Sequence, residues 1–339
     1  MKKLFKNPDK KHHQSDLFNY NNILTKKLEP SKLLNHNYKF IDLFAGIGGF
    51  HIAFHNLGCE CVFASEIDKF ARITYQENLS KISPNLFSQN NFAEDIQLVN
   101  ANDIPDFDIL CAGFPCQPFS QIGNKFGFND HKDNRGNMFF EIIRIIQAKK
   151  PVGFFLENVR NLEKHDNGKT FKIIKNTLEN IGYSFHYKVV RASDYGLPQH
   201  RPRIFMIGFK NEKTQNSEFR FPPKTQLKYN ISDIFNGKCD KEIGYTLRVG
   251  GRGSKIDDRR NWEFYKVDGK IKRITTSEAI LMQGFPNNYN FPVSQVQAMK
   301  QLGNSVAISA VQAVGKAMLD YLINKNNSTF DKIKIKYID

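Results

Sequence analysis

Short apolar runs alternate with amphipathic stretches over residues 37–210. The runs at 39–44, 60–65, 107–112, 152–156, 184–190 and 203–209 have the length of buried strands. Between them the period changes. Phe50, Ala53, Phe54 and Leu57 fall at i, i+3, i+4 and i+7, and Gly58 follows as a helix stop. Phe171, Ile174, Leu178 and Ile181 repeat the pattern before Gly182. A third helix is expected from Met138 to Lys150, stopped by Pro151. Strands alternating with helices predict a doubly wound, mostly parallel α/β sheet.

Residues 211–300 have more turns, charges and isolated aromatics, with glycines at 250, 251 and 253. They are expected to form a second, smaller domain. A last helix, about 305–322, sets Val306, Ala310, Val311, Val314, Ala317, Met318 and Tyr321 along one broad face. It reads as a core helix returning to the large domain within 301–325. Residues 1–36 form a Lys-rich extension, and 326–339 a basic tail.

The formal net charge of +15 favours a polyanionic partner, although a lysine-rich composition alone would give the same balance. No apolar run approaches membrane-spanning length, and the first residues lack the apolar centre of a secretory signal. A cytoplasmic protein with no membrane contact is expected. Five cysteines without a CxxC pair argue against disulfides and against a metal site, so one thiol is available for chemistry.

Ligands of an open α/β sheet bind beyond the carboxyl ends of its strands. At those places stand a glycine-rich turn (Phe44 to Gly49), Glu66, the sequence Pro115-Cys116-Gln117, the sequence Glu157-Asn158-Val159, and Gln199 to Arg203. Each alone has a structural explanation: a tight turn, a helix cap, a buried thiol, surface arginines. Cys111, inside a strand run, fits the inert buried thiol. Together they put a nucleotide-type turn, a thiol, a carboxyl and two guanidiniums on one rim. The turn reads G-x-G-G, an imperfect pyrophosphate fingerprint, which favours a donor without pyrophosphate over a nicotinamide dinucleotide.

FIDLFAGIGGF, FPCQPFS, FLENV, QHRPR and QLGNSV, in this order, resemble the C5-cytosine DNA methyltransferases of type II restriction–modification systems. The likeness covers about 38–210 and 272–325. It implies the Rossmann-like fold of S-adenosylmethionine-dependent methyltransferases, with S-adenosylhomocysteine as product. By resemblance, Phe44, Ala45, Gly46, Ile47, Gly48 and Gly49 hold the donor, Glu66 takes the ribose, and Asp95 and Ile96 meet the adenine. Gly113, Pro115, Met138, Asn304 and Ser305 complete the donor side. Ile67 stands where close relatives carry a Trp against the adenine.

The implied mechanism needs a nucleophile that can also leave. A Cys116 thiolate adds to cytosine C6, making C5 nucleophilic. Glu157 then protonates or shares a proton with N3, and Arg203 bonds O2 and orients Glu157. Arg201 is assigned a phosphate or the pocket wall, and Asn158 holds the Glu157 and Cys116 loops together. The base must leave the duplex stack, as in other DNA methyltransferases. Gln117 and Ser120 are expected near the DNA backbone. Thr246 to Gly251 resembles the family's target-recognition signature, in which the Thr meets a phosphate. From Arg248 to Arg273 there are nine basic and four acidic residues. Arg248, Arg252, Lys255, Arg259 and Arg260 are therefore the expected readers of double-stranded DNA, mainly within 248–265. A monomer, working beside a cognate restriction endonuclease, is expected. The alternatives are a tRNA cytosine-C5 methyltransferase and an inactive DNA-binding regulator.

Overall fold

The computed structural model describes residues 38–115, 138–212, 217–250 and 253–336, with side chains described to 325. Strand β1 (Lys39–Leu43) leads through a turn into helix α1 (Gly49–His55) and strand β2 (Glu60–Ser65). Helices α2 (Lys69–Leu79) and α3 (Pro84–Ser88), strand β3 (Phe92–Ala93) and strand β4 (Ile109–Gly113) follow. Next come α4 (Met138–Lys149), β5 (Gly153–Val159), α5 (Lys169–Asn180), β6 (His186–Arg191) and β7 (Pro202–Phe209). The remainder holds α6 (Ile231–Phe235), a hairpin of β8 (Phe264–Val267) and β9 (Lys270–Arg273), then α7 (Thr276–Gln283), α8 (Gln295–Asn304) and α9 (Ile308–Lys336).

The seven-stranded sheet runs β3-β2-β1-β4-β5-β7-β6. Pairing is parallel from β3 to β5, while β7 is antiparallel to both β5 and β6. The sheet is thus mostly parallel, as the alternating pattern predicts. Side chains alternate across it. Phe40 and Phe155 face a layer containing α1 and α9, with Phe50, Phe54, Val311, Val314 and Met318. Ile41, Leu43, Leu110 and Leu156 face α4 and α5, through Ile142, Ile146, Ile174 and Leu178. Burial on both faces is why these strands read as continuous apolar runs.

Several boundaries differ from the sequence expectation. β5 runs past Leu156, so Glu157 and Asn158 lie on the strand rather than after it. The partner β7 pairs with these residues and extends the ladder. The last helix begins at Ile308, not at Ser305, and continues to Lys336, so much of the expected basic tail is helical. Residues Phe219, Ile231, Trp262, Tyr265 and Met282 belong to the same buried cluster as Phe40 and Val311. The core therefore continues through residue 210 without a gap. Gln295–Lys325 is long and apolar enough by composition to cross a bilayer, a stretch that run length alone missed. It is interrupted between Asn304 and Ile308, and its residues Ala310, Val311, Val314 and Met318 are sealed into the core.

Phe155 is fully buried and meets Phe50, Phe54 and Phe205 at ring distances of 5.1, 6.3 and 5.1 Å. Truncating it leaves a cavity between sheet and helix layer. Phe155→Ala should cost about 3–5 kcal/mol in urea-denaturation stability, without loss of helix content by circular dichroism.

Candidate active site

The turn after β1 leaves the sheet through an uncommon backbone. Phe44 has φ 56°, a left-handed conformation that a bulky residue rarely adopts. Gly46 also has φ +56°, and a Cβ there would meet nothing within 4 Å. The glycine serves the turn, and the space in front of it stays open. The turn is pinned on all sides. Ala45 N–H donates to Ser65 O at 2.9 Å and Gly48 N–H to Ala45 O at 2.8 Å. The Tyr289 hydroxyl donates to Ile47 O. Gly49 starts α1 and lies against Val306 and Ser305.

Glu66 follows β2. Its Oε2 accepts from Gly46 N–H and its Oε1 from Asp68 N–H, both at 2.7 Å. Burial pushes this carboxyl up, and those two backbone N–H groups oppose the shift. Each oxygen keeps a further lone pair for a hydroxyl donor. Ile67 beside it is 64% exposed, an apolar side chain held on the rim. Asp95 is half-buried and caps a short 3-10 turn by accepting from Gln97 N–H at 3.0 Å. Ile96 is buried, and its carbonyl accepts from Arg144 at 2.9 Å. Gly113 ends β4, Pro115 is exposed, and the half-buried Met138 opens α4. Asn304 is exposed and Ser305 buried. These residues line the carboxyl ends of adjacent parallel strands. Open turn, hydroxyl-accepting carboxylate and apolar rim suit an adenosine whose sulfonium side chain carries no phosphate. S-adenosylmethionine fits this set.

The second half of the site comes from the antiparallel strand. In the β5–β7 register Val159 faces Arg203, which places Arg203 diagonally across from Glu157 on the same face. Arg203 Nε and Glu157 Oε1 are 3.0 Å apart, with both side chains largely buried. The other oxygen, Oε2, lies 3.6 Å from where a Cβ on Gly113 would stand, so the carboxyl adjoins the donor rim. Burial pushes the Glu157 carboxyl up, and the guanidiniums of Arg203 and Arg201 pull the other way. Asn158 is buried, and its Nδ2 donates to Phe114 O at 2.9 Å. This bond ties β5 to the chain two residues before Cys116. Cys116, Gln117, Ser120 and Arg252 lie outside the described residues. Cys111 is fully buried and burial pushes its thiol well up, as an inert thiol requires.

Of the two expectations for Arg201, a phosphate or the pocket wall, burial speaks against the phosphate. It is 1% exposed, and its guanidinium donates to Leu247 O at 3.0 Å, Gly303 O at 2.9 Å and Ser305 O at 2.5 Å. A phosphate cannot reach donors sealed among carbonyls. The Thr246 hydroxyl donates to His200 O. Sequence reasoning passed over Gln199 and Gln283, both fully buried. Gln199 Nε2 donates to Met282 O and Gln283 Oε1, and Leu247 N–H donates to Gln199 Oε1. Gln283 Nε2 donates to Leu302 O and Ser305 O. The signal was present in the quoted QHRPR, where only the arginines drew attention. At Gly303 a Cβ would stand 2.7 Å from the backbone carbon of Arg248, so the two chains meet backbone to backbone.

A family model for C-5 cytosine-specific DNA methylase matches residues 38–249 and 246–320. The chain belongs to that family. It is 42% identical over 320 residues to the Type II methyltransferase M1.ScrFI of Lactococcus lactis subsp. cremoris, covering 84% of this chain and 79% of the relative. It is 38% identical over 316 residues to the Type II methyltransferase M.HhaI of Haemophilus parahaemolyticus, covering 81% and 92%. The structure of the S. pombe Dnmt2 methyltransferase superposes with TM-score 0.61 at 20% identity, covering 85% of this chain and 100% of that one. The fold is therefore that of these methyltransferases. This DNA (cytosine-5-)-methyltransferase uses S-adenosylmethionine and acts on DNA.

For Glu157, a folded-state pKa above the unfolded one means that ionisation opposes folding. Its stabilising contribution is full below the ordinary value of about 4.5 and is lost as pH rises through the raised value. Glu157→Gln keeps the shape and removes the titration. Its stability minus that of the parent should be flat below about 4.5, climb from there to the raised value, and level off above it. Denaturation midpoints from about pH 4 to about pH 9 measure this.

Proposed function

We propose that this methylase transfers the methyl group through a covalent adduct between Cys116 and C6 of a flipped-out cytosine. The observation supporting it most directly is the Arg203–Glu157 pair, buried beside the donor rim by the β5–β7 register. S-adenosylmethionine supplies an electrophilic methyl group on a sulfonium sulfur. Phe44 to Gly49, Glu66, Ile67, Asp95 and Ile96 orient it, with Gly113, Pro115 and Met138 beside it and Asn304 and Ser305 near its methionine end.

The Cys116 thiolate adds to C6, forming the S–C6 bond, and the electron pair of the C5–C6 double bond moves into the ring. Glu157, pushed up by burial, holds the proton that meets N3. Arg203 donates to O2 while its Nε fixes the carboxyl's rotation. C5 bonds the methyl carbon as the methyl–sulfonium bond breaks, leaving S-adenosylhomocysteine; the C5 proton then passes to water or hydroxide, the thiolate leaves as the C5–C6 double bond re-forms, and N3 returns its proton to Glu157. Asn158 is a positioning residue, because its bond to Phe114 O sets the approach of the segment bearing Cys116. Arg201 acts likewise on the segments at 247 and 303–305.

Residues 211–300 are the DNA-reading part and 37–210 the catalytic part, closed by the returning helix of 301–325. Of the expected readers, Arg248, Lys255, Arg259 and Arg260 are exposed, which supports the assignment. The enzyme works as a monomer in the cytoplasm and protects DNA from a cognate restriction endonuclease.

Cys116→Ser should abolish methylation while duplex binding persists in a gel-shift assay. Substantial methylation by that variant would remove the thiol from the mechanism. Glu157→Gln should slow single-turnover methyl transfer by roughly 10²–10⁴-fold; an unchanged rate would refute its proton role. Bisulfite sequencing of DNA from cells expressing the chain reports both the reaction and the methylated site, and parallel assays on tRNA test the RNA alternative.

A further inference from the structure

Arg259 and Arg260 are neighbours in the exposed basic segment, yet they are held differently. The Arg260 guanidinium is gripped side-on by Asp258. Nε donates to Oδ1 at 3.0 Å, and Nη2 donates to Oδ2 at 2.7 Å. The Arg260 backbone N–H also donates to Asp258 Oδ1 at 2.8 Å, closing a tight turn. Those bonds push the Asp258 carboxyl down to about 2, so it stays ionised at any working pH.

The turn itself is strapped to the core. Asp258 N–H donates to Lys255 O at 3.0 Å and Asn261 N–H to Asp258 O at 2.8 Å. Asn261 is buried, and its Nδ2 donates to Ile256 O and Phe264 O while its Oδ1 accepts from Glu263 and Phe264 N–H. Trp262 is 1% exposed and donates from its indole to Gly250 O at 3.1 Å. The Arg260 side chain is 71% exposed on this rigid base.

The clamp has two consequences. It occupies the Nε–Nη2 edge of the fork and leaves the end-on edge, with Nη1 and the second Nη2 N–H, facing outward as two parallel donors. It also cancels the charge. A phosphate gains little from a neutral ion pair and is repelled by the adjacent carboxylate. The uncharged major-groove edge of guanine, with acceptors O6 and N7, still matches the two donors. Arg248, Lys255 and Arg259 are exposed and enter none of the ion pairs found among the described residues, so they keep full charge for phosphates.

We propose that Arg260, clamped by Asp258, reads a guanine of the target site through O6 and N7, while Arg248, Lys255 and Arg259 hold phosphates. The proposal rests on the reading of 248–265 as the DNA-facing segment.

The test uses the full-length enzyme with a pool of randomised duplexes. Bound duplexes and methylated duplexes are sequenced separately, and binding is followed across salt concentrations. Arg260→Lys should lower the preference for guanine at one position of the recovered site by roughly 5- to 150-fold, leaving other positions unchanged. Asp258→Asn should weaken the same preference and steepen the salt dependence, because the released guanidinium can then meet phosphate. Arg259→Ala should weaken binding evenly over all sequences and lower the salt slope by about 1. Both Arg260→Lys and Asp258→Asn alter exposed or half-buried groups, so each checks the other if one protein is unstable. The proposal is overturned if Arg260→Lys keeps the full guanine preference, or if its effect is even across positions with a smaller salt slope. A wild-type chain that selects no guanine in the bound pool overturns it as well. A wild-type chain that binds duplexes selectively but methylates no cytosine counts instead against the proposed reaction.

Discussion

The buried Arg201 guanidinium fixes the arrangement on which both halves of the site depend. Burial pushes it below its usual range, and the nearby Arg203 adds to that, while Glu157 opposes it. The carbonyls of Leu247, Gly303 and Ser305 take bonds from its two terminal nitrogens, while Nε has no partner among the described residues. Those carbonyls belong to the entry of the segment proposed to read DNA and to the turn behind the donor. One planar cation therefore sets the distance between segments far apart in sequence. A lysine in its place has no fork to span three acceptors. Gln199 and Gln283 run in parallel with it, sharing Leu247 and Ser305 as partners.

A consequence is that reaction centre and reading surface are mechanically continuous. Arg203 stands two residues from Arg201 and holds Glu157. Thr246 and Leu247 are tied to His200 and Gln199, and Arg248 presses on Gly303. The hydrophobic cluster joins the same parts. Motion of the reading segment against the donor rim must break several buried hydrogen bonds. This favours a site whose two halves are preset and whose adjustable parts lie in exposed side chains.

Much of this was legible in the sequence, for identifiable reasons. The alternation of apolar runs and 3.6-residue repeats gave the sheet, because strands buried on both faces must be apolar throughout. The placement of the turn, Glu66 and Glu157 toward strand carboxyl ends was legible because they close the apolar runs of β1, β2 and β5. Three things were not. The partners of Arg201 were left open between a phosphate and the pocket wall, since an arginine in a sequence gives no sign of which carbonyls surround it. Helix α2 buries Ala71, Thr74, Tyr75 and Leu79, a face too mixed to stand out. The antiparallel course of β7 is a matter of connectivity that periodicity does not carry, although the resemblance already implied the Glu157–Arg203 contact that it permits.

The donor turn also has a bearing on synthesis. Its outer wall comes from the far end of the chain: Tyr289 bonds Ile47, Thr74 bonds Gln301 at 2.9 Å, and Gly49 lies against Val306. A nascent chain emerging from the ribosome holds the glycine-rich turn and Glu157 long before that wall exists. Contacts so distant in sequence close late and slowly. By the time the wall closes, residues 248–265, the segment proposed to read DNA, have already been made.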